Sequence, residues 1–182
     1  MATHARDRLL DAAEQLFYAE GIRAVGVERI LAESGVGRAS FYRHFAAKDD
    51  LVVAVLQRRD QAWRAWLAER VEALGGQPLS VFDALAERFA RADFRGCAFI
   101  NTMAETADTG SSAYRVAAEH KERVTAYVAE LLARSGHQNA EALARRIVLL
   151  MDGAIVTALR ERTTAPAAEA RAVAAAVLDG AR

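Results

Sequence analysis

Apolar residues recur at helical spacing near the start of the chain, at Leu9, Ala13, Leu16 and Phe17, with Arg6, Asp7, Asp11 and Glu14 interleaved. This pattern predicts an amphipathic helix with one buried stripe, ending near Gly21, a residue suited to a left-handed helix stop. A short helix over 27–34 follows, with Ile30 and Leu31 as its apolar contacts. Gly26 sits at its cap position, where Ser or Thr would specify the start more firmly. Gly35-Val36-Gly37 leaves room only for a tight turn before a third helix over 38–45. There Phe41 and Phe45 stand four residues apart on one face, which assigns them to the core. Arg38, Ser40, Tyr42, Arg43 and His44 occupy the other face.

From residue 48 to about residue 74 the helical pattern runs unbroken, a rod of about 40 Å that could join two halves of a molecule. Gly75-Gly76-Gln77-Pro78 ends it, and Pro78 suits the first turn of a helix over 79–92. Further helices are expected over 97–106, from about 112 to 135, and from 139 onward. A break over 163–166 precedes an Ala-rich terminal helix. Composition agrees with this reading. With 42 Ala and only 2 Pro, the chain favours an all-α fold and excludes a large β-sheet, and with it a Rossmann- or TIM-type enzyme. Cys97 is the single cysteine, so neither an intramolecular disulfide framework nor a cysteine-based zinc site can form. No apolar run approaches the length of a membrane span, and residues 1–8 lack a signal-peptide core. The expected location is the cytoplasm.

Two short helices around a glycine-containing turn, the second with polar, cationic and aromatic residues on one face, describe a helix-turn-helix whose second helix could enter a DNA major groove. Local charge strengthens the reading. The whole chain has a formal net charge of zero, and residues 1–50 hold 7 basic against 8 acidic side chains. Residues 38–48 nevertheless contain Arg38, Arg43, Lys48 and His44 with no acid among them. Any attraction for DNA must therefore act through a small, aimed patch and not through bulk charge.

The run from Gly21-Ile22-Arg23-Ala24-Val25-Gly26-Val27-Glu28-Arg29-Ile30, through Ala32-Glu33-Ser34-Gly35-Val36-Gly37-Arg38-Ala39-Ser40-Phe41-Tyr42-Arg43-His44-Phe45, to Lys48-Asp49-Asp50-Leu51, resembles the DNA-binding domain of the TetR family of bacterial transcriptional regulators. The resemblance covers about residues 8–52; the remainder matches in length and helical character only. Gly26 departs from the pattern, since many members carry Ser or Thr there. The resemblance implies an N-terminal three-helix helix-turn-helix domain (1–50), joined by a long helix to a C-terminal helical ligand-binding and dimerisation domain (51–182). It implies that Tyr42, His44 and Lys48 hold phosphates while Arg38, Ala39, Ser40 and Arg43 face the groove. Side-chain chemistry agrees. Arg can pair bidentately with guanine, Ala39 can touch a thymine methyl, and Tyr, His and Lys supply phosphate hydrogen bonds. The alternative for Tyr42 and His44 is to close the end of a packed helix.

The resemblance further implies a small-molecule effector and a homodimer built from the last two helices. Leu143, Ile147, Leu150, Met151, Ala154 and Ala158, with Val173, Val177 and Leu178, form two late apolar stripes that suit such an interface or, alternatively, ordinary core. Trp63, Trp66, Phe82, Phe89, Phe99, Met103 and Tyr127 could line the effector pocket or simply pack. Polar residues in apolar surroundings are more informative. His120 lies on the stripe Val116, His120, Val124, Tyr127, Leu131, Asp152 is embedded in an apolar run, and Asn101 and Glu105 share a helix face. Trp66, Phe89, Asn101, Glu105, His120 and Asp152 are thus the candidate effector contacts. The competing reading is a satisfied core histidine and a hydrogen-bonded carboxylate. A metal set around His120 is a further alternative, though no metal or cofactor is expected. Cys97 opens a helix beside Arg95, a setting compatible with a redox-active thiol, yet no second cysteine could resolve its oxidised form.

These features point to a ligand-responsive repressor that binds a pseudo-palindromic operator in double-stranded DNA as a homodimer. An all-helical enzyme using Glu105, His120 and Asp152 is the competing class, but no nucleophile–base spacing, Glu-x-x-His pair or phosphate loop supports it. A helical adaptor that binds only protein is the third class, and it would leave the basic face over 38–48 without a task.

Overall fold

The computed structural model describes residues 2–106 and 108–181, with side chains placed from His4 onward. Met1, Ala107 and Arg182 lie outside the described residues, and with them the outer ends of the expected 1–50 and 51–182 division. Among the described residues the chain is 77% helical, with nine helices and no strand. These are α1 (Ala2–Glu20), α2 (Val27–Ser34), α3 (Arg38–His44), α4 (Lys48–Ala73), α5 (Ser80–Phe89), α6 (Ala98–Glu105), α7 (Ser112–Arg134), α8 (Ala140–Glu161) and α9 (Ala165–Asp179). None of them is long and apolar enough to cross a membrane.

Local chemistry explains most boundaries. Gly21 follows α1 with φ +94°, and Gly35 closes α2 in the left-handed region at φ +61°, where a side chain would be strained. Helix α3 stops one residue earlier than the pattern predicts, because Phe45 is extended (φ −139°) and turns its ring into the core. Asp50 reaches back to accept the Ala47 N–H at 2.9 Å, half of a capping box at the start of α4. The predicted 79–92 helix ends at Phe89, and Arg91 then holds Asp93 through two hydrogen bonds of 2.9 and 3.0 Å in the break that follows. This fork holds the Asp93 carboxyl below the usual carboxylate range. Helix α8 ends in the left-handed region at Arg162 (φ +57°), a position where glycine is the ordinary residue.

The chain divides into two compact units. The first comprises residues 1–61 and 98–119; the second comprises 62–97 and 120–182. In the first unit α1 packs against α2 and α3, burying Leu9, Ala13, Leu16, Ile30, Phe41, Phe45 and Leu51. Burying a Phe or Leu side chain stabilises by about 1.5–3 kcal/mol, so this small core suffices to hold two short helices that could not persist alone. Along α1 and α4, Arg58 bridges Asp11 and Glu14, and Arg59 bonds the second Glu14 oxygen while lying over the Tyr18 ring. In the second unit α8 lies along α9, and α5 packs on both. Ala167, Ala170 and Ala174 line the buried side of α9, small enough to let α8 approach closely.

Candidate DNA interface and candidate effector residues

The helix-turn-helix is closed from within. Val36, in the turn, is buried, and Ser34 accepts its N–H at 3.3 Å through Oγ while donating to the Leu31 carbonyl. Neither Gly26 nor Gly37 supplies a side-chain cap, so α2 and α3 take their starts from packing. Phe41, fully buried, and Phe45 anchor the inner face of α3, as their spacing predicts. Rotation of the helix is thereby set, and the remaining residues follow: Arg38, Ala39, Tyr42 and Arg43 are exposed, and Ser40 and His44 are half-buried.

Tyr42 is 51% exposed, its ring edge-on to Phe41 at 5.1 Å, so it does not close the end of the helix as core. Arg38 forms an exposed ion pair with Glu28 of α2. Such a pair is worth about 0–1 kcal/mol, less than the ~1–3 kcal/mol of discrimination from a bidentate guanine contact, so Glu28 parks Arg38 without withholding it. Lys48 is positioned differently from a free phosphate ligand. Its ammonium donates to the Ile22 carbonyl at 2.5 Å and lies over the Phe17 ring, so it also fastens the turn between α1 and α2. Two basic residues enter the region that the reading of 38–48 left out. Arg6 lies over the Phe45 ring at 5.5 Å, and the Arg8 guanidinium lies near Gly35. Their sequence signal was weak, because on α1 they appear only as the polar side of an amphipathic helix.

The candidate effector residues fall in both units. Asn101 and Glu105 line a cleft of the first unit together with residues of α1 and α4. Trp66, Phe89, His120 and Asp152 belong to the second unit. His120 is 1% exposed, as its stripe predicts, with Trp63 edge-on to its ring at 5.2 Å. Asp152 is held by the ammonium of Lys121, so the carboxylate embedded in an apolar run has its counter-charge. Phe89 and Phe82 are core, and Trp66 packs on Trp63 and under Arg88. Among the described residues no group of three or more His, Cys, Asp or Glu side chains could hold a metal ion. Cys97 is half-buried just before α6.

The late apolar stripes require a correction of detail. Leu143, Ile147, Met151, Ala154, Ala158 and Leu178 are buried within the chain itself, because their faces of α8 and α9 pack on α5 and on each other. The apolar residues left outside are Leu149 (73% exposed) and Val156 (53%) on α8, with Val173 (51%) on α9. Gly153, on the same face as Leu149 and Val156, has open space around its Cα.

Fold and site together define a helix-turn-helix DNA-binding protein. The family model described as bacterial regulatory proteins, tetR family, matches residues 9–55. That of the transcriptional regulator LmrA/YxaF-like C-terminal domain matches residues 79–173. A TetR-family transcriptional regulator from Streptomyces coelicolor is 34% identical, with a TM-score of 0.87 over 98% of this chain and 96% of that one. E. coli NemR in its reduced form is 25% identical, with a TM-score of 0.80 over 93% and 95% of the two chains. An HTH-type transcriptional regulator of Staphylococcus aureus (strain USA300) is 40% identical over 57 residues, a match that spans 31% of either chain. This chain belongs to the TetR family of transcriptional regulators.

Proposed function

We propose that this regulator is a ligand-responsive repressor that binds a pseudo-palindromic operator as a homodimer. Residues 1–50 read DNA, and 51–182 carry dimerisation and sensing. In this reading Arg38, Ala39, Ser40 and Arg43 meet base edges, and Tyr42, His44 and Lys48 hold phosphates. Arg6 and Arg8 add positive charge beside them. The observation that carries the reading is the outward face of α3, whose exposed tyrosine and arginines are held in register by two buried phenylalanines. An exposed tyrosine flanked by arginines suits contact with a phosphate backbone.

The dimer is proposed to form through the outward faces of α8 and α9, around Leu149, Gly153, Val156 and Val173. Apolar side chains with a glycine between them let two copies of a helix pair approach closely in an isologous interface. Two-fold pairing would present two recognition helices to successive major grooves, which sit about 34 Å apart. The test is a gel-shift with the DNA upstream of its own gene at two salt concentrations, beside sedimentation of the free protein. A salt-sensitive complex with two copies per site is expected. Monomeric protein, or binding indifferent to sequence, would overturn the reading.

A further inference from the structure

One cleft of the first unit has a chemistry of its own. It opens between α1, α4 and α6 and has an apolar wall of Phe17, Ile22, Val55 and Leu56. At one end of its polar rim Arg59 is neutralised by Glu14, which Arg58 also holds. At the other end stands Glu105. Among the described residues its carboxylate has no cationic partner; it accepts only the backbone N–H of Arg23, at 3.0 Å. The cleft therefore combines an apolar wall with one carboxylate that lacks a counter-ion, which is the complement of a compact hydrophobic amine.

We propose that this cleft binds a small organic ammonium ion, one ring or short alkyl body with an aminoalkyl arm, its ammonium on Glu105 and its body against Phe17, Val55 and Leu56. An anionic ligand would be repelled by Glu105, and a neutral one would gain nothing from its charge. The site has a built-in consequence, which rests on the DNA-binding reading above. Glu105 also abuts the turn between α1 and α2: a Cβ on Gly21 would lie 3.1 Å from its Oε1, and the Arg23 N–H is its hydrogen-bond donor. An ammonium that draws the carboxylate away releases that N–H and loosens the turn leading into α2. Ligand and operator then oppose one another by a single coupling free energy, equal in both directions.

The test is a ligand-observed NMR titration of the full chain with 2-phenylethylammonium, its neutral counterpart 2-phenylethanol and the anion 3-phenylpropionate. Glu105→Gln keeps an oxygen for the Arg23 N–H but removes the charge, and Ala98→Phe fills the cleft from the α6 side. The expected result is binding of the ammonium ion, weakened about tenfold or more by Glu105→Gln and abolished by Ala98→Phe, with the alcohol and the acid far weaker. Equal affinity for the alcohol, or an unchanged affinity in either variant, would overturn the site. Operator affinity measured with and without the amine tests the coupling separately. A wild type that binds the amine with no change in operator affinity keeps the site and overturns the coupling. Failure of operator binding itself would strike the DNA reading, while the titration stands apart from it.

Discussion

Helix α3 and the α8–α9 pair solve the same packing problem and leave opposite remainders. Each buries one face, α3 through Phe41 and Phe45 and the late pair through residues such as Ile147 and Ala174. What α3 leaves outside is chiefly cationic and aromatic: Arg38, Tyr42, Arg43. What α8 and α9 leave outside includes an apolar strip, Leu149, Gly153, Val156 and Val173, set among exposed charges such as Arg145, Arg146 and Arg171. A face of guanidinium and phenol groups is comfortable in water and gains when it meets phosphate; a face of aliphatic side chains gains only when another apolar surface covers it. The core face of a helix therefore says little about its partner, and the unburied face says most.

The largest effect separates core from interface on the same helix. Ile147→Arg should place a charge in the core of the second unit, with no counter-ion provided, at a cost of several kcal/mol, and abolish the cooperative thermal transition. Val156→Arg, nine residues on but facing out, should keep the helical circular dichroism and sediment as a monomer with weakened operator binding. If Val156→Arg stays a dimer with normal affinity, the apolar remainder on α8 is not the interface and the comparison fails there.

On the other remainder, Arg38→Ala should cost ~1–3 kcal/mol per half-site and relax base preference at one operator position. Tyr42→Phe and Lys48→Ala should weaken all operator variants alike, and Lys48→Ala should flatten the slope of log K against log salt by about one for each phosphate left without its lysine. Because Lys48 also bonds the Ile22 carbonyl, its removal should increase hydrogen exchange in the turn over 21–26, which removal of a phosphate ligand alone would not do. An unchanged salt slope would leave Lys48 as a fastener of the turn and no more.

Smaller effects test how the second unit is finished. Arg162→Gly should stabilise it by about 1 kcal/mol, since the left-handed stop after α8 strains any residue with a Cβ. A loss of stability in thermal melts would show that the arginine side chain contributes more than its backbone costs. Tyr127 has a buried hydroxyl with no hydrogen-bond partner among the described residues, and burial, with the nearby Glu72 charge, pushes its ionisation above the ordinary tyrosine range. The folded state then holds its proton while the unfolded chain releases it. Stability should fall as pH rises through the unfolded tyrosine value near ~10. Tyr127→Phe should remove its contribution to that alkaline decline and leave stability at neutral pH equal or slightly higher. An alkaline decline undiminished in the variant would assign it to other groups.

How much of this was legible in the chain follows from what each inference needs. Helix number and most helix ends needed only local information: glycines at 21, 35 and 75 adopt positive φ, Pro78 precedes a helix, and Phe41 and Phe45 share one face. The outward face of α3 followed from the same periodicity, because once two phenylalanines point inward the positions of Arg38, Tyr42 and Arg43 are set. Sequence could not say which of two adjacent apolar stripes on α8 faces inward, since Ile147 and Leu149 are equally apolar and a helix with neighbours on one side has no local marker of where they stand. It could not reveal that Glu28 holds Arg38, that Lys48 ties down the turn at Ile22, or that Lys121 answers Asp152. Those partners are 10, 26 and 31 residues apart. Periodicity is a property of one helix and is written in consecutive residues; a pairing between helices depends on how their backbones cross, and only the folded chain decides that.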